Sequence, residues 1–330
     1  MMTQSEFKGK SIILAVPNHF KLPQRLKENL MFLGFEVYLL QSDEQIILSL
    51  KDTLIHTFKK LVYKDKTYKQ LVKNRKSKQK HLRLLSTIDK VDYALFIRPD
   101  LFDYEVVRVA KQRAGKIVAY QWDGMKRYPL VKSYIPWFDQ FYVFDKNDLK
   151  DFPQAKYTTN FYFDDITSEM PSVPNTVFFL GTYMKNRIPL LKQISSILTA
   201  YGLTPKFFLF TKRKRKRTTH IKLIYKKLSF EQSIRLEQRA DYLLDLNNSI
   251  HSGLSFRTFE SIGYDKKLIT NNPEVCGFDF YNPNNIFVFD SHHFKNSVRL
   301  AHFFQTPYQP LDKEIKTKYS FTNWIKYILE

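Results

Sequence analysis

The chain contains Ser11-Ile-Ile-Leu-Ala-Val16 and, after a loop and a helical pattern, Phe35-Glu-Val-Tyr-Leu-Leu40. Both runs are short and apolar, as expected for strands that are buried in a parallel sheet. Between them, Leu22 to Leu33 has the spacing of an amphipathic helix, and Gly34 follows as a helix stop. This stretch therefore predicts a strand, a helix and a second strand, which is the opening of an α/β fold.

The same alternation continues along the chain and restarts after residue 175. A helix is predicted over Tyr104 to Arg113 in the first half, and Ser229 with Gln232 gives a capping-box signature in the second half. Such alternation indicates two Rossmann-like halves with parallel sheets. The remaining predicted strands cover 93–97, 116–120, 140–144, 176–180, 206–210, 242–245, 267–270 and 285–289, and the remaining helices cover 186–201, 229–239 and 256–264.

The length of 330 residues favours two domains, because a single hydrophobic core usually stops growing at roughly 250–300 residues. Residues 164–175 contain two prolines and little hydrophobic periodicity, so they are the predicted linker. The predicted organisation is an N-terminal domain over 1–163 with a basic helical insert at about 51–90, the linker, a C-terminal domain over 176–320, and a helix over 321–330.

The composition predicts a folded protein with an anionic partner. Apolar residues make up 43% of the chain, which argues against disorder, and the formal net charge is +21. The single cysteine, Cys276, cannot form an internal disulfide and fits a reducing compartment. Because Ile12 to Val16 is too short for a signal sequence or a membrane span, we expect a cytoplasmic protein that is soluble or peripheral to a membrane.

Two strongly basic segments stand out. Lys59 to Arg83 has eleven Lys or Arg residues against one acid, with an intermittent apolar stripe, so it predicts an amphipathic helix or helical hairpin on anionic lipid, or else a solvated face. Lys212 to Arg217 follows a predicted strand. Its alternatives are a nucleic-acid signal, a phosphate or membrane contact through residues such as Lys212, and a solvated loop.

The segment His251-Ser-Gly-Leu-Ser-Phe-Arg-Thr-Phe-Glu260 joins a predicted strand to a predicted helix. Free amides at a helix N-terminus favour bound phosphate, and Arg257 would add a charged donor. Glu260, one turn further on, could accept hydrogen bonds from ribose hydroxyls. The alternative is that Arg257 and Glu260 form a surface ion pair on the helix. The candidate phosphate-binding residues of the turn are His251, Ser252, Gly253, Leu254 and Ser255.

Three stretches carry a resemblance to a known group of enzymes. Gly253 to Asn272, followed by Phe280-Tyr-Asn-Pro-Asn-Asn-Ile286, resembles the donor half of bacterial glycosyltransferases of the capsule, exopolysaccharide and lipopolysaccharide-core type. Gln121-Trp-Asp-Gly with Trp137 to Asp148 is similar to the segment that closes the acceptor half of those proteins. Asn160-Phe-Tyr162 resembles the crossover between the halves.

This resemblance implies a GT-B fold with two facing Rossmann-like domains, in which the C-terminal domain binds a nucleotide sugar and the N-terminal domain binds the acceptor. It also implies that no metal or other cofactor is required, since amides and basic side chains stabilise the departing diphosphate. Gly181 and Thr182, with Arg187 nearby, match the place where the backbone approaches the phosphates. An ordinary turn at the end of a strand is the alternative for Gly181.

An inverting transfer needs a base that takes the proton of the acceptor hydroxyl. Asp123 is the first candidate because it follows a predicted strand at the edge where ligands bind, although it could instead cap a helix or pair with a nearby cation. His19 in the loop after the first strand is the second, and Asp100 after Ile97-Arg-Pro is the third. If the reaction retains configuration, none of these need be a base.

The predicted function is transfer of a sugar from a nucleotide sugar to an anionic glycolipid or polysaccharide acceptor, in lipopolysaccharide-core or capsule synthesis at the bacterial inner membrane. The rival is a basic nucleic-acid-binding protein, whose weakness is that the aromatic residues fall in core patterns. A basic peripheral scaffold without activity is the third hypothesis.

Overall fold

The structure is a computed structural model that describes residues 7–19, 21–42, 46–166, 171–216, 219–247, 251–290, 294–295 and 297–330. Its internal contacts divide the chain into two compact units. Unit 1 runs to Thr159 and includes Ile325–Glu330, and unit 2 is Asn160–Trp324.

Unit 1 contains a six-stranded parallel sheet with the order β2-β1-β3-β4-β5-β6. Its strands are β1 (Ser11–Val16), β2 (Glu36–Gln41), β3 (Val91–Ile97), β4 (Ala114–Gln121), β5 (Gln140–Val143) and β6 (Lys156–Tyr157). Its helices are α1 (Leu22–Phe32), α2 (Leu50–Val62), α3 (Tyr68–Ser86), α4 (Tyr104–Arg113) and α5 (Asp148–Asp151), with 3-10 helices at Pro99–Leu101 and Pro129–Trp137.

Unit 2 also has a six-stranded parallel sheet, with the order β12-β11-β10-β7-β8-β9. Its strand order differs from that of unit 1, because its third strand, β9, lies at the edge where unit 1 has its second strand, β2. Its strands are β7 (Thr176–Thr182), β8 (Thr204–Phe210), β9 (Ile221–Ile224), β10 (Tyr242–Asp245), β11 (Lys267–Thr270) and β12 (Ile286–Val288). Its helices are α6 (Ile188–Ala200), α7 (Phe230–Gln238), α8 (Phe256–Gly263), α9 (Val298–Gln305) and α10 (Lys313–Lys318), with 3-10 helices at Lys185–Arg187 and Pro273–Gly277. The last helix, α11 (Phe321–Leu329), begins in unit 2 and ends in unit 1.

Each sheet is buried on both faces, as the apolar runs of the sequence require. In unit 2, Val177 and Phe179 belong to one buried cluster, and Phe178, which points to the opposite face, belongs to another. Gly34 follows the C-terminal end of α1 with φ +101, a backbone conformation that residues other than glycine rarely adopt. The two covered parallel sheets confirm the predicted α/β class with two Rossmann-like units.

The division between the units falls earlier than the predicted linker at 164–175. The ring of Phe161 lies 4.5 Å from that of Trp324, and the ring of Phe163 lies 5.3 Å from that of Phe321, so these aromatic residues belong to unit 2. The backbone of Tyr162 adds two hydrogen bonds to the segment Tyr319–Phe321. Residues 167–170 of the predicted linker lie outside the described residues.

Candidate functional site

The sheet of unit 2 has one place where the strand order reverses, between β7 and β10. From β7 the chain moves to β8 and β9 on one side, and then returns to β10 on the other. In open α/β sheets, ligands bind outside the carboxyl ends of the strands at such a switch point. Gly181 and Thr182 end β7, and Asp245 ends β10, so these residues border the expected crevice.

Arg187 reaches this switch point from the 3-10 helix after β7. Its Nη2 donates to the carbonyl of Leu246 at 3.3 Å. Burial lowers the pKa of Arg187, the charge of Arg257 acts in the same direction, and the carboxylate of Asp245 opposes both. A Cβ atom at Gly181 would stand 3.0 Å from the ring of Phe179 and in ordinary contact, at 3.5 Å, with Nη1 of Arg187.

Arg257, the second residue of α8, leans over the ends of both switch-point strands. Its Nη2 donates to the carbonyl of Leu180 at 3.2 Å, and its Nη1 donates to the carbonyl of Leu244 at 3.4 Å. The nearest described carboxylate oxygen belongs to Glu237, 3.8 Å from Nη2. The structure thus brings Gly181, Arg187 and Arg257, three of the residues predicted to bind the donor phosphates, together at the switch point.

Glu260 occupies a different position from the open one that the sequence predicted. It is buried, and it lies against the buried side chain of Glu237 on α7. Burial raises the pKa of Glu260 well above its ordinary value, and the neighbouring Glu237 raises it further.

The turn before α8 is held by asparagine side chains that the sequence interpretation gave no role. Asn272 Nδ2 donates to the carbonyl of Ser252 at 3.1 Å, and Asn160 Nδ2 donates to that of Leu254 at 2.9 Å. Asn247 Nδ2 donates to the carbonyl of His251 at 2.9 Å. Leu254 is buried in the core, so it anchors the turn and its side chain is not exposed to a ligand. The adjoining residues 248–250 lie outside the described residues.

Ser255 starts α8 as its N-cap residue in an extended conformation. Its hydroxyl makes no capping hydrogen bond, and within the described ranges Oγ has no hydrogen-bond partner. An N-cap hydroxyl normally accepts from an amide of the first turn. Here the hydroxyl of Ser255 does not serve the first-turn amides of α8 as an acceptor.

The carboxyl edge of this sheet is basic beyond the two arginines. Lys212 follows β8 and is exposed, and the guanidinium of Arg215 lies 5.0 Å from the ring of Tyr183, which follows β7. The predicted basic run thus reaches the strand next to the switch point, although Arg217 lies outside the described residues. The other basic residues that follow these strand ends are Lys185, Arg213, Lys214, Lys216, Lys226 and Lys227.

In unit 1 the three candidate bases lie at the carboxyl edge of the sheet. His19 follows β1, Asp100 follows β3 and Asp123 follows β4, and these three strands are neighbours. Two of the candidates share one cation, because Arg98 donates from Nε and Nη2 to both oxygens of Asp100 at 2.8 Å and from Nη1 to Asp123 at 2.6 Å. The arginine also stacks 3.6 Å from the ring of Tyr128.

This arrangement separates the roles of the two aspartates. Asp100 is almost fully buried, so its position is that of a structural partner of Arg98. The side chain of Asp123 is 26% exposed and therefore accessible to an acceptor. Burial alone would lower the pKa of the Arg98 guanidinium, but the hydrogen bonds to Asp100 together with the charges of Asp100 and Asp123 raise it. Of the two, only Asp123 has a partly exposed side chain.

Among solved structures, the chain is similar along its whole length to the N-terminal domain of trehalose-6-phosphate phosphatase from Candida albicans, with TM-score 0.50, 10% identity and 100% of this chain and 98% of that chain covered. A UDP-forming α,α-trehalose-phosphate synthase from Burkholderia vietnamiensis gives TM-score 0.48 at 8% identity, with 97% of each chain covered. The glycosylation-associated Gap123 complex from Streptococcus agalactiae gives 0.36 at 10% identity, over 76% of this chain and 53% of that chain.

No protein-family model matches the sequence, and the search of curated proteins finds no significant match. At 10% identity, the similarity to the trehalose-6-phosphate phosphatase domain supports the fold alone, in agreement with the GT-B class predicted from the sequence. None of the helices in the described part of the chain combines the length and apolar character needed to cross a bilayer.

Proposed function

We propose that this protein is a glycosyltransferase that moves a sugar from a nucleotide sugar to a lipid-linked glycan. The main support for this proposal is the pair Arg187 and Arg257 at the switch point of the unit 2 sheet. Two guanidinium groups bound to strand-end carbonyls form a fixed positive site. This chemistry suits a diphosphate, because charge-assisted hydrogen bonds from arginine are strong and directional.

In the proposed reaction, the donor diphosphate lies against Arg187, Arg257 and the first turn of α8. The bond between the sugar carbon and the diphosphate oxygen breaks, and the acceptor hydroxyl forms the new glycosidic bond. The arginines stabilise the negative charge that develops on the leaving diphosphate, so we propose that no metal ion is required. In an inverting reaction, Asp123 takes the proton of the acceptor hydroxyl.

We propose that the acceptor is an anionic glycolipid of lipopolysaccharide-core or capsule and exopolysaccharide synthesis, used on the cytoplasmic side of the bacterial inner membrane. The net charge of +21 and the basic segments support an anionic acceptor. Asp123, exposed next to a buried arginine, supports unit 1 as the acceptor-binding unit. The sugar and the base of the donor stay open.

The first test is isothermal titration with UDP, GDP, CMP and dTDP, without added metal and with a chelator. We expect one of them to bind, and we expect Arg187→Ala and Arg257→Ala each to weaken binding by about tenfold or more, as loss of a charge-assisted hydrogen bond predicts. Arg235→Ala, an exposed arginine on α7, is the matched control and should leave the affinity unchanged. Absence of binding, or equal affinity in all three variants, would refute the proposal.

A second test concerns the base. With the donor identified and membrane extract as the source of acceptor, Asp123→Asn should lower the transfer rate by about 10²–10⁴-fold if the reaction inverts configuration. Nucleotide affinity should stay at the wild-type value. Asp151→Asn, an exposed aspartate of the same unit, is the control. An unchanged rate with Asp123→Asn would remove Asp123 from the mechanism.

The nucleic-acid alternative lacks a stacking surface in the described part of the chain. Large aromatic side chains such as Phe96, Phe102 and Phe178 are buried. Phe58 and Tyr63 lie together at the end of α2, with ring centroids 5.9 Å apart, and the other exposed aromatic residues lie on separate elements, namely Phe32, Tyr225 and Tyr327. Because unspecific binding of single strands relies on aromatic residues along a basic groove, this distribution argues against it. Tight, salt-dependent binding of RNA in a gel shift would favour it instead.

A further inference from the structure

The helix α2 presents its apolar side to solvent. It has thirteen residues and no buried one. Leu50, Leu54, Phe58 and Leu61 recur with helical spacing and therefore form one stripe. Their exposed fractions are 87%, 72%, 57% and 73%. A surface helix of a globular protein normally turns such a stripe toward the core.

The opposite side of α2, which is polar, attaches the helix to the protein. The carboxylate of Asp52 lies 3.4 Å from Nζ of Lys76 on α3, and it accepts a hydrogen bond of 3.4 Å from the hydroxyl of Tyr68. Nζ of Lys59 lies 4.9 Å from the ring of Tyr68. The polar contacts thus point inward and the apolar stripe points outward, which reverses the usual orientation.

The support under α2 is firmly packed. Val72, Ser77 and Leu85 of α3 are buried in unit 1. Asn74, also on α3, donates from Nδ2 to the carbonyls of Asp100 at 2.9 Å and Phe102 at 3.0 Å. The hairpin of α2 and α3 is therefore attached to the segment that carries Asp100, beside the Arg98 and Asp123 cluster.

The charge around the stripe distinguishes between the surfaces that could cover it. The hairpin from residue 51 to residue 83 has two acids, Asp52 and Asp65, and twelve basic residues, namely Lys51, Lys59, Lys60, Lys64, Lys66, Lys69, Lys73, Arg75, Lys76, Lys78, Lys80 and Arg83. A second copy of this face would bring a like charge of the same size, which opposes self-association. A nucleic acid would satisfy the charge and leave the apolar stripe uncovered. An anionic bilayer satisfies both.

We propose that α2 lies in the surface of an anionic phospholipid bilayer, with the stripe inserted among the acyl chains and the flanking lysines at the headgroups. Basic amphipathic helices bind membranes in this way. The biological meaning of this contact rests on the proposed function, because a membrane-bound unit 1 would hold Asp123 near a lipid-linked acceptor. The contact itself requires no nucleotide.

The test is co-sedimentation of the full chain with phosphatidylcholine vesicles that contain about one-third phosphatidylglycerol. We expect the double variant Leu54→Gln and Phe58→Gln to weaken partitioning by about tenfold or more. Replacement of two exposed apolar residues elsewhere, Tyr225→Gln and Val298→Gln, is the matched control and should leave partitioning unchanged. The double variant of α2 should keep the wild-type nucleotide affinity and melting temperature, because the altered side chains touch solvent.

Further arms of the same experiment separate the occupants. Vesicles of phosphatidylcholine alone should bind the wild type several-fold more weakly, and Lys51→Gln with Lys64→Gln should weaken binding to the anionic vesicles by about fivefold or more. Equal partitioning of the α2 variant and the wild type would overturn the proposal. It would also be overturned by a wild type that fails to bind vesicles and sediments as a dimer that the α2 variant loses. Failure of nucleotide binding with intact vesicle binding would reject the proposed function alone.

Discussion

The two sheets each have six parallel strands but use an arginine at their carboxyl edges in opposite ways. In unit 1, Arg98 follows β3, its side chain is 4% exposed, and two aspartates bind it at 2.8 Å and 2.6 Å. In unit 2, Arg257 lies over the end of β10, its side chain is 15% exposed, and its hydrogen bonds go to backbone carbonyls. Arg98 is thus bound by two carboxylates at hydrogen-bond distance, whereas the nearest described carboxylate oxygen to Arg257, on Glu237, is 3.8 Å away.

The type of a residue and its position at the end of a strand are therefore not enough to assign it a ligand. Local carboxylates decide which arginine is structural. Arg98 holds the partly exposed candidate base, Asp123, by a hydrogen bond from Nη1. The positive charge in unit 1 therefore positions an aspartate. Four substitutions, ordered by the size of the expected effect, test this contrast.

The largest effect is expected for Arg98→Ala, which leaves the buried Asp100 without its cation. Removal of one partner from a buried ion pair typically lowers the free energy of unfolding by about 3–5 kcal/mol. Urea unfolding should show a loss of this size, against about 1 kcal/mol for Arg257→Ala, whose partners are mainly carbonyls. If both variants lose the same stability, the distinction between an arginine bound by carboxylates and one bound by carbonyls is wrong.

The next effect concerns the helix that places Arg257. A Cβ atom at Gly263, the last residue of α8, would stand 2.2 Å from ring atoms of Tyr162. Gly263→Ala should therefore shift α8 and lower the free energy of unfolding by about 1–3 kcal/mol, as overpacking does. Nucleotide affinity should fall as well. Gly277→Ala, whose Cβ would have no atom within 4 Å, is the control, and equal melting temperatures of the two variants would contradict the reasoning.

A smaller, pH-dependent effect is expected for Glu260→Gln. The pKa of Glu260 is raised above its ordinary value of 4.5 in the folded protein, so the folded state holds a proton that the unfolded state releases. Stability from this group is present below pH 4.5 and is lost as the pH rises toward the raised pKa, with a slope of at most about 1.4 kcal/mol per pH unit. The amide variant should lack this loss in urea unfolding across the pH range.

The same variant decides between two roles of Glu260. If Glu260 is only a buried partner of Glu237, Glu260→Gln should leave nucleotide affinity unchanged. If Glu260 contacts the ribose, as predicted from the sequence, Glu260→Gln should weaken binding of the nucleotide but not of inorganic diphosphate. Glu231→Gln, on the exposed first turn of α7, is the control for both measurements. A pH dependence that Glu260→Gln leaves intact would contradict the proposed protonation.

The smallest effect is expected for Lys212→Ala. This exposed lysine follows β8 and would act on the donor phosphates through solvent, so nucleotide affinity should fall by only about two- to threefold at low salt. At about 0.5 M salt the difference should vanish, since exposed charges are screened. Arg257→Ala should keep most of its effect at that salt concentration. Equal salt sensitivity of the two variants would place both groups in solvent.

The sequence predicted most of the strands because buried strands of parallel sheets are apolar runs. β10 and β11 have the predicted bounds, and the capping box of Ser229 and Gln232 forms at the start of α7. The two-residue β6 and the strand β9 were not predicted. β9 contains Lys222 and is only partly buried, so its apolar pattern is weak. The helices α9 and α10 lack long periodic patterns and were also missed.

The site was predictable only as far as charge and strand ends define it. Arg257 follows from those rules and Arg187 from the resemblance to glycosyltransferases, and the structure brings the two together. The burial of Glu260 does not, because it depends on Glu237 of α7, 23 positions earlier in the sequence. The asparagines that hold the turn before α8 were equally hidden, since Asn160 and Asn272 approach it from distant parts of unit 2. No spacing rule relates such positions.

The outward stripe of α2 has a consequence for handling the purified protein. Mutual repulsion between lysine-rich faces should keep neighbouring molecules apart in dilute buffer, where the screening length is long. As salt shortens that length from roughly 30 Å at 0.01 M to about 3 Å at 1 M, the leucines and Phe58 of different molecules can meet. The protein should therefore precipitate on salting, and mild detergent should restore it to solution.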